Sequence, residues 1–555
     1  MGHDQGNVPL TLLAVLHRNS VSRAGLFLFA FCFFSLPLAA QRSFQSHCGF
    51  AVQTTPELVR KVQAGIQAGQ RPVLPFFVDA ASGRFRVHYA TSGPDAVDVS
   101  DLDGNSVPDY VDECIRTLEH VYRAEIDTLG YLPPPSDGVD GGNGAIDVYV
   151  RDLSQAGPSG SSLYGVTTLD KIISSSPIDR YTTWMDVDNN FAETDRDASG
   201  RPAYATFGLD ALHVTCAHEF HHVIQNGRYG LATSQLMFYE LSSTWMELRI
   251  WPEVRDWAIY TNELFAEPEQ WPFSDPAAIN GYVWGWYGNV MQNVSANTMR
   301  TAWEKIGLGI RPAQAVVDAY SQHGASFTDV FCSQLPIFYK TGSRGQENTV
   351  IPGAEDIDEI RLYSDERAIA PSVVSSGALR AFEVRALRFS IPSNSGAEPI
   401  SVAVLLSWPN ETAYVNGNAF TALSYTVTLT NSPLPSDAIV PGTSWGVRVS
   451  PESICVTLDG AQTRKPASPY PQPISISATR LLYVPIADGI PGENVTLSLM
   501  TVSTIGLSTS SSTVVLDGDR IVALFELPAD LTPGTYLVRV ESKDGSTLLK
   551  ISVRR

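Results

Sequence analysis

The chain has 555 residues, with 58 Asp or Glu against 38 Lys or Arg, for a net charge of -20. That acidic balance disfavours nucleic acid and anionic membrane surfaces as partners. The length calls for several domains, and a hydrophobic fraction of 44% is enough to give them cores.

The N-terminus carries an apolar run over residues 24–38, with Arg18 and Arg23 before it and Ala39-Ala40 after it. It reads as a signal peptide, residues 1–40, that sends the chain to the cell surface or outside it. A retained signal anchor is the alternative. No other long apolar run follows, so no stable membrane insertion is expected once the signal is cleaved. Residues 41–83 form an N-terminal extension or a short propeptide. Loss of Cys32 with the signal leaves Cys48, Cys114, Cys216, Cys332 and Cys455. The number is odd, so at least one thiol is left over, and Cys216 is the expected one. The spacings show no zinc knuckle, so a metal site has to come from His and Glu.

Asp101, Asp103, Asn105, Asp109 and Asp112 stand at positions 1, 3, 5, 9 and 12 of a twelve-residue stretch, with the Val107 carbonyl at position 7. That is the oxygen-ligand spacing of an EF-hand-type loop, and it predicts a structural calcium ion. Ser106 stands at position 6, where Gly is usual. Ile115, Leu118, Val121 and Tyr122 then predict a helix. The rival reading is an Asp/Asn-rich turn that caps the helix without metal. Two weaker acidic clusters follow. Asp137 to Asp147 reads as a Gly-rich turn entering a strand, and Asp186 to Asn190 as a strand end.

The stretch Leu212 to Gln225 contains His218-Glu219-Phe220-His221-His222, an H-E-x-x-H string with apolar helix positions around it and no Pro or Gly. Residues four apart share a helix face, so His218 and His222 can direct two imidazoles at one metal ion. Glu219 then lies beside the metal, where a carboxylate can take a proton from water. His221 falls on another face and is expected to be a satisfied, non-ligand histidine; His213 is expected to pack.

A catalytic zinc usually has three protein ligands. Downstream, Glu240, Ser243 and Glu247 fall in a pattern that resembles the E-G-x-A-x-x-x-E helix of the gluzincin metallopeptidases, with Leu241 in place of the Gly. The resemblance implies zinc held by His218, His222 and Glu240, with Glu219 as general base. Glu247 is the runner-up ligand, or else a carboxylate behind the ligands. Tyr282 and Tyr287 are candidate oxyanion donors, because many members of that group use a downstream Tyr or His; each could instead be core or cleft wall. The segments around Asn280–Val290, Met299–Ile306 and Ala325–Phe331 are similar to the helical lower half of such enzymes. Trp184 to Phe191 resembles the edge strand that precedes the active-site helix. Over residues 84–345 the chain resembles a group of secreted bacterial metallopeptidases from myxobacteria and relatives.

After Gly342 the helical pattern ends. Residues 346–465 show short alternating runs, such as Leu379 to Val384 and Ala422 to Leu429, and predict a β-sandwich. Residues 463–473 read as a Pro-rich linker. Residues 475–555 predict a second β-sandwich. Its Leu531-Thr532-Pro533-Gly534-Thr535-Tyr536 string resembles the sorting domain of type IX secretion, which implies the outer-membrane secretion machinery as a partner.

The expected architecture is therefore an α+β zincin-like metallopeptidase domain followed by all-β, Ig-like sandwich domains. The expected function is that of a secreted zinc endopeptidase acting on a protein or peptide substrate. The alternative is a catalytically inactive zincin-like surface adhesin or scaffold.

Overall fold

The computed structural model describes residues 48–555 apart from 67–68, 346–347, 392–399, 432–437, 441–444, 460–473, 476–479, 487–491, 502–505, 518–519, 543–544 and 555. The signal peptide and the Pro-rich linker lie outside the described residues. Among those described, no helix is long and apolar enough to cross a membrane. The architecture is mixed α/β with several sheets and an all-β C-terminal region.

A five-stranded sheet organises the N-terminal half. Its strands are β1 (Phe76–Asp79), β2 (Phe85–Tyr89), β3 (Ile146–Arg151), β4 (Gly165–Ser174) and β5 (Arg180–Asp188), in the order β1-β2-β3-β5-β4. β2, β3 and β5 run parallel, while β1 and β4 are antiparallel to their neighbours. The parallel strands are buried along nearly their whole length, as strands covered on both faces must be. β1 belongs to this sheet although it lies within the 41–83 stretch that the sequence set apart.

The expected edge strand is corrected by this order. Trp184 to Asp188 fall on β5, which is internal, and the edge is β4. The burial pattern gives the reason: β5 is buried from Tyr181 to Asp188, whereas β4 becomes alternately exposed after Asp170. A run of apolar and acidic residues does not say which side of a strand lacks a neighbour.

Two short helices, α1 (Phe50–Gln53) and α2 (Pro56–Gln63), lie against β4. α3 (Asp109–Tyr122) crosses from β2 to β3 and buries Val111, Cys114, Leu118 and Val121; of the apolar positions read from the sequence, Leu118 and Val121 are buried, and Ile115 and Tyr122 are half-buried. α4 (Gly208–Ile224) packs on β4 and β5 and is buried from Ala211 to Ile224. It continues as one π-helical turn, Gln225–Tyr229, and ends at Gly230, whose φ is +98°. α5 (Met237–Ile250) is buried from Met237 to Leu248 and lies between α4 and α7 (Ala278–Val283), with α6 (Asp256–Ala266) beside them.

α5 and α7 approach closely because Gly281 has no side chain. A Cβ there would sit 2.2 Å from the Met237 carbonyl oxygen and 2.6 Å from Glu240 Cβ. The Gly absent after Glu240 is thus matched by one on the opposite wall.

Two four-stranded sheets, drawn from strands between Leu362 and Asp459, enclose a core that includes Leu387, Phe389, Val404, Leu406 and Val427. The expected strand Leu379 to Val384 is corrected here. It straddles a turn between Ser372–Arg380 and Val384–Ile391, which belong to different sheets, with Phe382 at φ +55°. The disulfide Cys332–Cys455 ties a helix of the N-terminal half to a strand of this region. A seven-stranded sheet follows, from Ile474 to Arg554, with its own core around Leu497, Leu499, Val538 and Ile551.

Candidate metal centre

α4 and α5 bring three donor atoms to one point. His218 Nε2 lies 3.1 Å from His222 Nε2 and 3.1 Å from Glu240 Oε2. His222 Nε2 is 3.4 Å from the same Glu240 oxygen. A tetrahedral ion with bonds of about 2.0–2.1 Å separates its ligand atoms by about 3.3–3.4 Å, so the triangle is close to the size of one face of such a site. Glu240 Oε1 is buried and has no hydrogen-bond partner. An orphaned carboxylate oxygen in the interior costs free energy unless a cation is nearby.

The imidazoles are oriented from behind. His218 Nδ1 is 2.6 Å from Glu247 Oε1, and His222 Nδ1 is 2.7 Å from Gln225 Oε1. Protons on the two Nδ1 atoms leave both Nε2 lone pairs directed at the centre. Glu247, the runner-up ligand, therefore stands behind His218. Gln225 is held by the Tyr239 carbonyl and by the hydroxyls of Ser242 and Ser243. It sits where it does because the helix widens to a π turn directly after Ile224.

The electrostatics call for positive charge. Burial works against a charged His218, but Glu240 and Glu247 outweigh it and hold its pKa up at about 10. Burial also works against a charged Glu240, and the two histidines bring its pKa down to about 2. Glu247 is pushed up to about 7, chiefly by burial. Two carboxylates and two imidazoles buried together are stable only with a proton or a metal ion among them.

Glu219 lines the same cavity as His218, Tyr164, Tyr260 and Tyr282. The Thr167 hydroxyl on β4 donates to Glu219 Oε2 at 2.6 Å and to the Glu219 carbonyl at 3.0 Å. Gly165, also on β4, allows the strand to pass this close, since a Cβ there would meet Glu219 Cγ at 2.6 Å and Thr215 Cγ2 at 2.7 Å. The edge strand and the carboxylate are therefore locked together.

Of the two tyrosine candidates, Tyr282 stacks on His218, with ring centroids 5.7 Å apart and planes at 8°. Tyr287 is not in this cavity. Its ring packs against Phe273, Trp284 and Phe331 in the helical core. His221 is 2.6 Å from Glu125 Oε2 and fully buried, away from the centre. His213 is 3.0 Å from Glu113 and stacks on Trp251.

The structure adds one residue the sequence reading missed. Cys48 Sγ joins His218, His222 and Glu240 in a group whose ligand atoms all lie within 4.8 Å of one another, and it is the one such group among the described residues. This buried Cys/His/His/Glu cluster could hold a metal ion. The available signal was an odd cysteine in a short extension ahead of H-E-x-x-H.

At the acidic loop, Asp101 accepts the backbone N–H groups of Gly104, Asn105 and Ser106 at 2.8–3.1 Å. The Asn105 side chain bridges Asp103 and Asp112 at 3.1 and 2.8 Å, and the Val107 N–H donates to Asn105. Asp109 accepts from the Leu102 N–H and begins α3. Ser106 takes φ +71°, so the sharp turn expected of a Gly at position 6 is made by a Ser.

No family model, curated protein or solved structure matches the chain.

Proposed function

We propose that this chain is a secreted zinc-dependent endopeptidase. One observation carries the reading: two histidine Nε2 atoms and a carboxylate oxygen converge at 3.1–3.4 Å, beside a glutamate fixed on the same helix. The donor set of two imidazoles and one carboxylate suits zinc. A zinc ion held by His218, His222 and Glu240 would polarise a carbonyl and acidify a water molecule. Glu219 takes a proton from the attacking water and delivers it to the leaving amine. The antiparallel edge strand β4 runs beside α4, so an extended peptide can add to it and present its backbone to Glu219. Tyr282, stacked on His218 in the same cavity, is the tyrosine proposed to donate to the oxyanion. This sheet and helix arrangement supports a zincin-like reading of the N-terminal half.

The loop from Asp101 to Asp112 is proposed as a structural calcium site on the sequence spacing of its oxygen-bearing residues. The C-terminal sheet supports an export module. Its Gly534–Ser542 strand holds Tyr536, whose hydroxyl donates to the Thr532 carbonyl at 2.8 Å. Deleting residues from about 475 onward is expected to trap the protein in the periplasm.

Metal analysis with a peptide-library digest tests the enzyme reading, run before and after limited proteolysis. Wild type and Glu219→Gln are both expected to hold one zinc. The variant is expected to lose about 10²–10⁴-fold or more in rate. Equal rates would remove Glu219 as the base. Zinc binding without hydrolysis in any form would favour the inactive scaffold.

A further inference from the structure

We propose that Cys48 is a fourth metal ligand, and that the segment from Cys48 to Gln63 is a built-in inhibitor holding the enzyme latent. The proposal rests on the zinc peptidase reading and concerns how that site is controlled.

The segment occupies the place a substrate backbone would take. Cys48 bridges to Gly165 in parallel, and the Gly49 N–H donates to the Gly165 carbonyl at 3.0 Å. The segment therefore lies on the side of the edge strand away from β5, with Cys48 lining the same cavity as Glu219. An incoming peptide has the same edge to pair with. Phe50 is fully buried and stacks on His222, with centroids 4.0 Å apart and planes at 15°, and also on Tyr239.

The sulfur completes the donor set. Cys48 Sγ stands within 4.8 Å of the His218, His222 and Glu240 donor atoms and is 4% exposed. The orphaned Glu240 Oε1 in the same cluster independently calls for a cation. The Phe50 N–H donates to Cys48 Sγ at 3.2 Å and fixes the sulfur beside the centre. On ligation the S–H bond breaks, the sulfur–metal bond forms, and the proton passes to Glu219, which hydrogen-bonds the thiol. Four protein ligands make a closed site, and a closed site leaves no position for water.

The segment is followed by an exposed stretch at which it could be cut from the sheet. α2 is held by Gln63, whose amide donates to Asp179 at 2.7 Å. Ala64, Gly65 and Ile66 are then exposed. The chain is gripped again at Arg71, which pairs with Asp137 at 2.6 Å, with Asp170 at 2.8 Å and with Asp147. Hydrolysis of one peptide bond between Gln63 and Ile66, by water and an endopeptidase, would free the inhibitory segment and leave the sheet anchored. Exposed segments of this kind are where proteases cut.

The test uses the full zinc-loaded chain, the Cys48→Ser variant, and a chain with a protease recognition sequence inserted after Gly65. X-ray absorption at the zinc edge is expected to show a sulfur neighbour at about 2.3 Å in the intact wild type. That neighbour should be missing in Cys48→Ser and lost when the inserted site is cut. Hydrolysis of a peptide library should rise about tenfold or more in both cases. One bound zinc with only nitrogen and oxygen neighbours in the wild type would overturn the proposal and leave the zinc reading standing. Equal hydrolysis by cut and intact chains would overturn the inhibitory role. No zinc in any of the three would sink the metallopeptidase reading and this proposal with it.

Discussion

Gln225 Oε1 receives the Nδ1 proton of His222 at 2.7 Å, from the first residue of the π turn that continues the helix carrying the histidine. Three further contacts, from Tyr239, Ser242 and Ser243, hold the Gln225 amide so that it cannot turn over. The helix widening and the imidazole orientation are therefore one feature. Gln225→Ala removes the acceptor and lets the ring rotate. Zinc affinity, measured by competition with a chromogenic chelator, is expected to fall about 10–100-fold. Gln225→Glu retains the acceptor and should restore most of it. Unchanged affinity in the Ala variant would show that His222 is oriented by packing against Phe50 and by the Ser243 hydroxyl, 3.3 Å from its Nδ1.

Gly165 fixes the distance between the edge strand and the base. Gly165→Ala puts a methyl group 2.6 Å from Glu219 Cγ and 2.7 Å from Thr215 Cγ2, so either the strand or the carboxylate must shift. A displacement of about 1 Å at a reacting group costs up to about 10²-fold in rate. The expected result, in the chain freed of its N-terminal segment, is a fall in kcat with zinc content unchanged. A variant as fast as wild type would show that β4 is free to slide against α4.

The residues that bind through local spacing were legible in the sequence. His218, Glu219 and His222 follow from helix geometry alone, and their convergence needed no tertiary information. Glu240 follows from the resemblance to the gluzincin helix pattern, and the structure supplies its physical basis in Gly281 and the close packing of α7. Cys48 was not legible. Its approach depends on a strand bridge to Gly165, more than a hundred residues away, and no local pattern encodes such a pairing. The reading of β5 rather than β4 as the edge failed for the same reason, because sheet order is set by long-range pairing. Tyr282 and Tyr287 were indistinguishable in sequence. They are five residues apart on two successive helices, and only one of them meets the His218 ring.

Arg71 is surrounded by Asp137, Asp147 and Asp170, three carboxylates for one guanidinium. Burial, with the nearby Asp147 charge, pushes the Asp137 pKa up to about 6 despite the pull of Arg71. A carboxylate whose folded pKa is raised binds its proton more tightly in the native state. Its favourable contribution is complete at low pH and is lost as pH rises from about 3.8 through about 6. Asp137→Asn mimics the protonated form at every pH. The melting temperature of the variant minus that of the wild type should therefore increase between pH 4.5 and pH 7. The underlying free-energy change is on the order of 1–2 kcal/mol after allowance for solvent screening. A difference independent of pH would place the shared proton on another member of the cluster.

The acidic loop gives a prediction independent of zinc. Asp101 accepts three backbone N–H groups, and Asn105 ties Asp103 to Asp112, so the loop is already shaped by its own hydrogen bonds. A calcium ion would take over several of these carboxylate oxygens and fix the start of α3 at Asp109. Extracellular loops of this type bind calcium with Kd values of about 10⁻⁴–10⁻³ M. At about 10 mM calcium the linkage is worth about 1.4–2.7 kcal/mol of native-state stability. Calcium added to dialysed protein should therefore raise the melting temperature by a few degrees, and magnesium by less, because magnesium dehydrates reluctantly and demands near-ideal octahedral geometry. Asp101→Asn should lower the melting temperature without calcium only slightly, since the amide oxygen still accepts, yet abolish the calcium-dependent rise. A melting temperature unmoved by calcium in the wild type would mean that the internal hydrogen bonds are the whole of the loop's stability, and that Asp101 to Asp112 is a helix-capping turn.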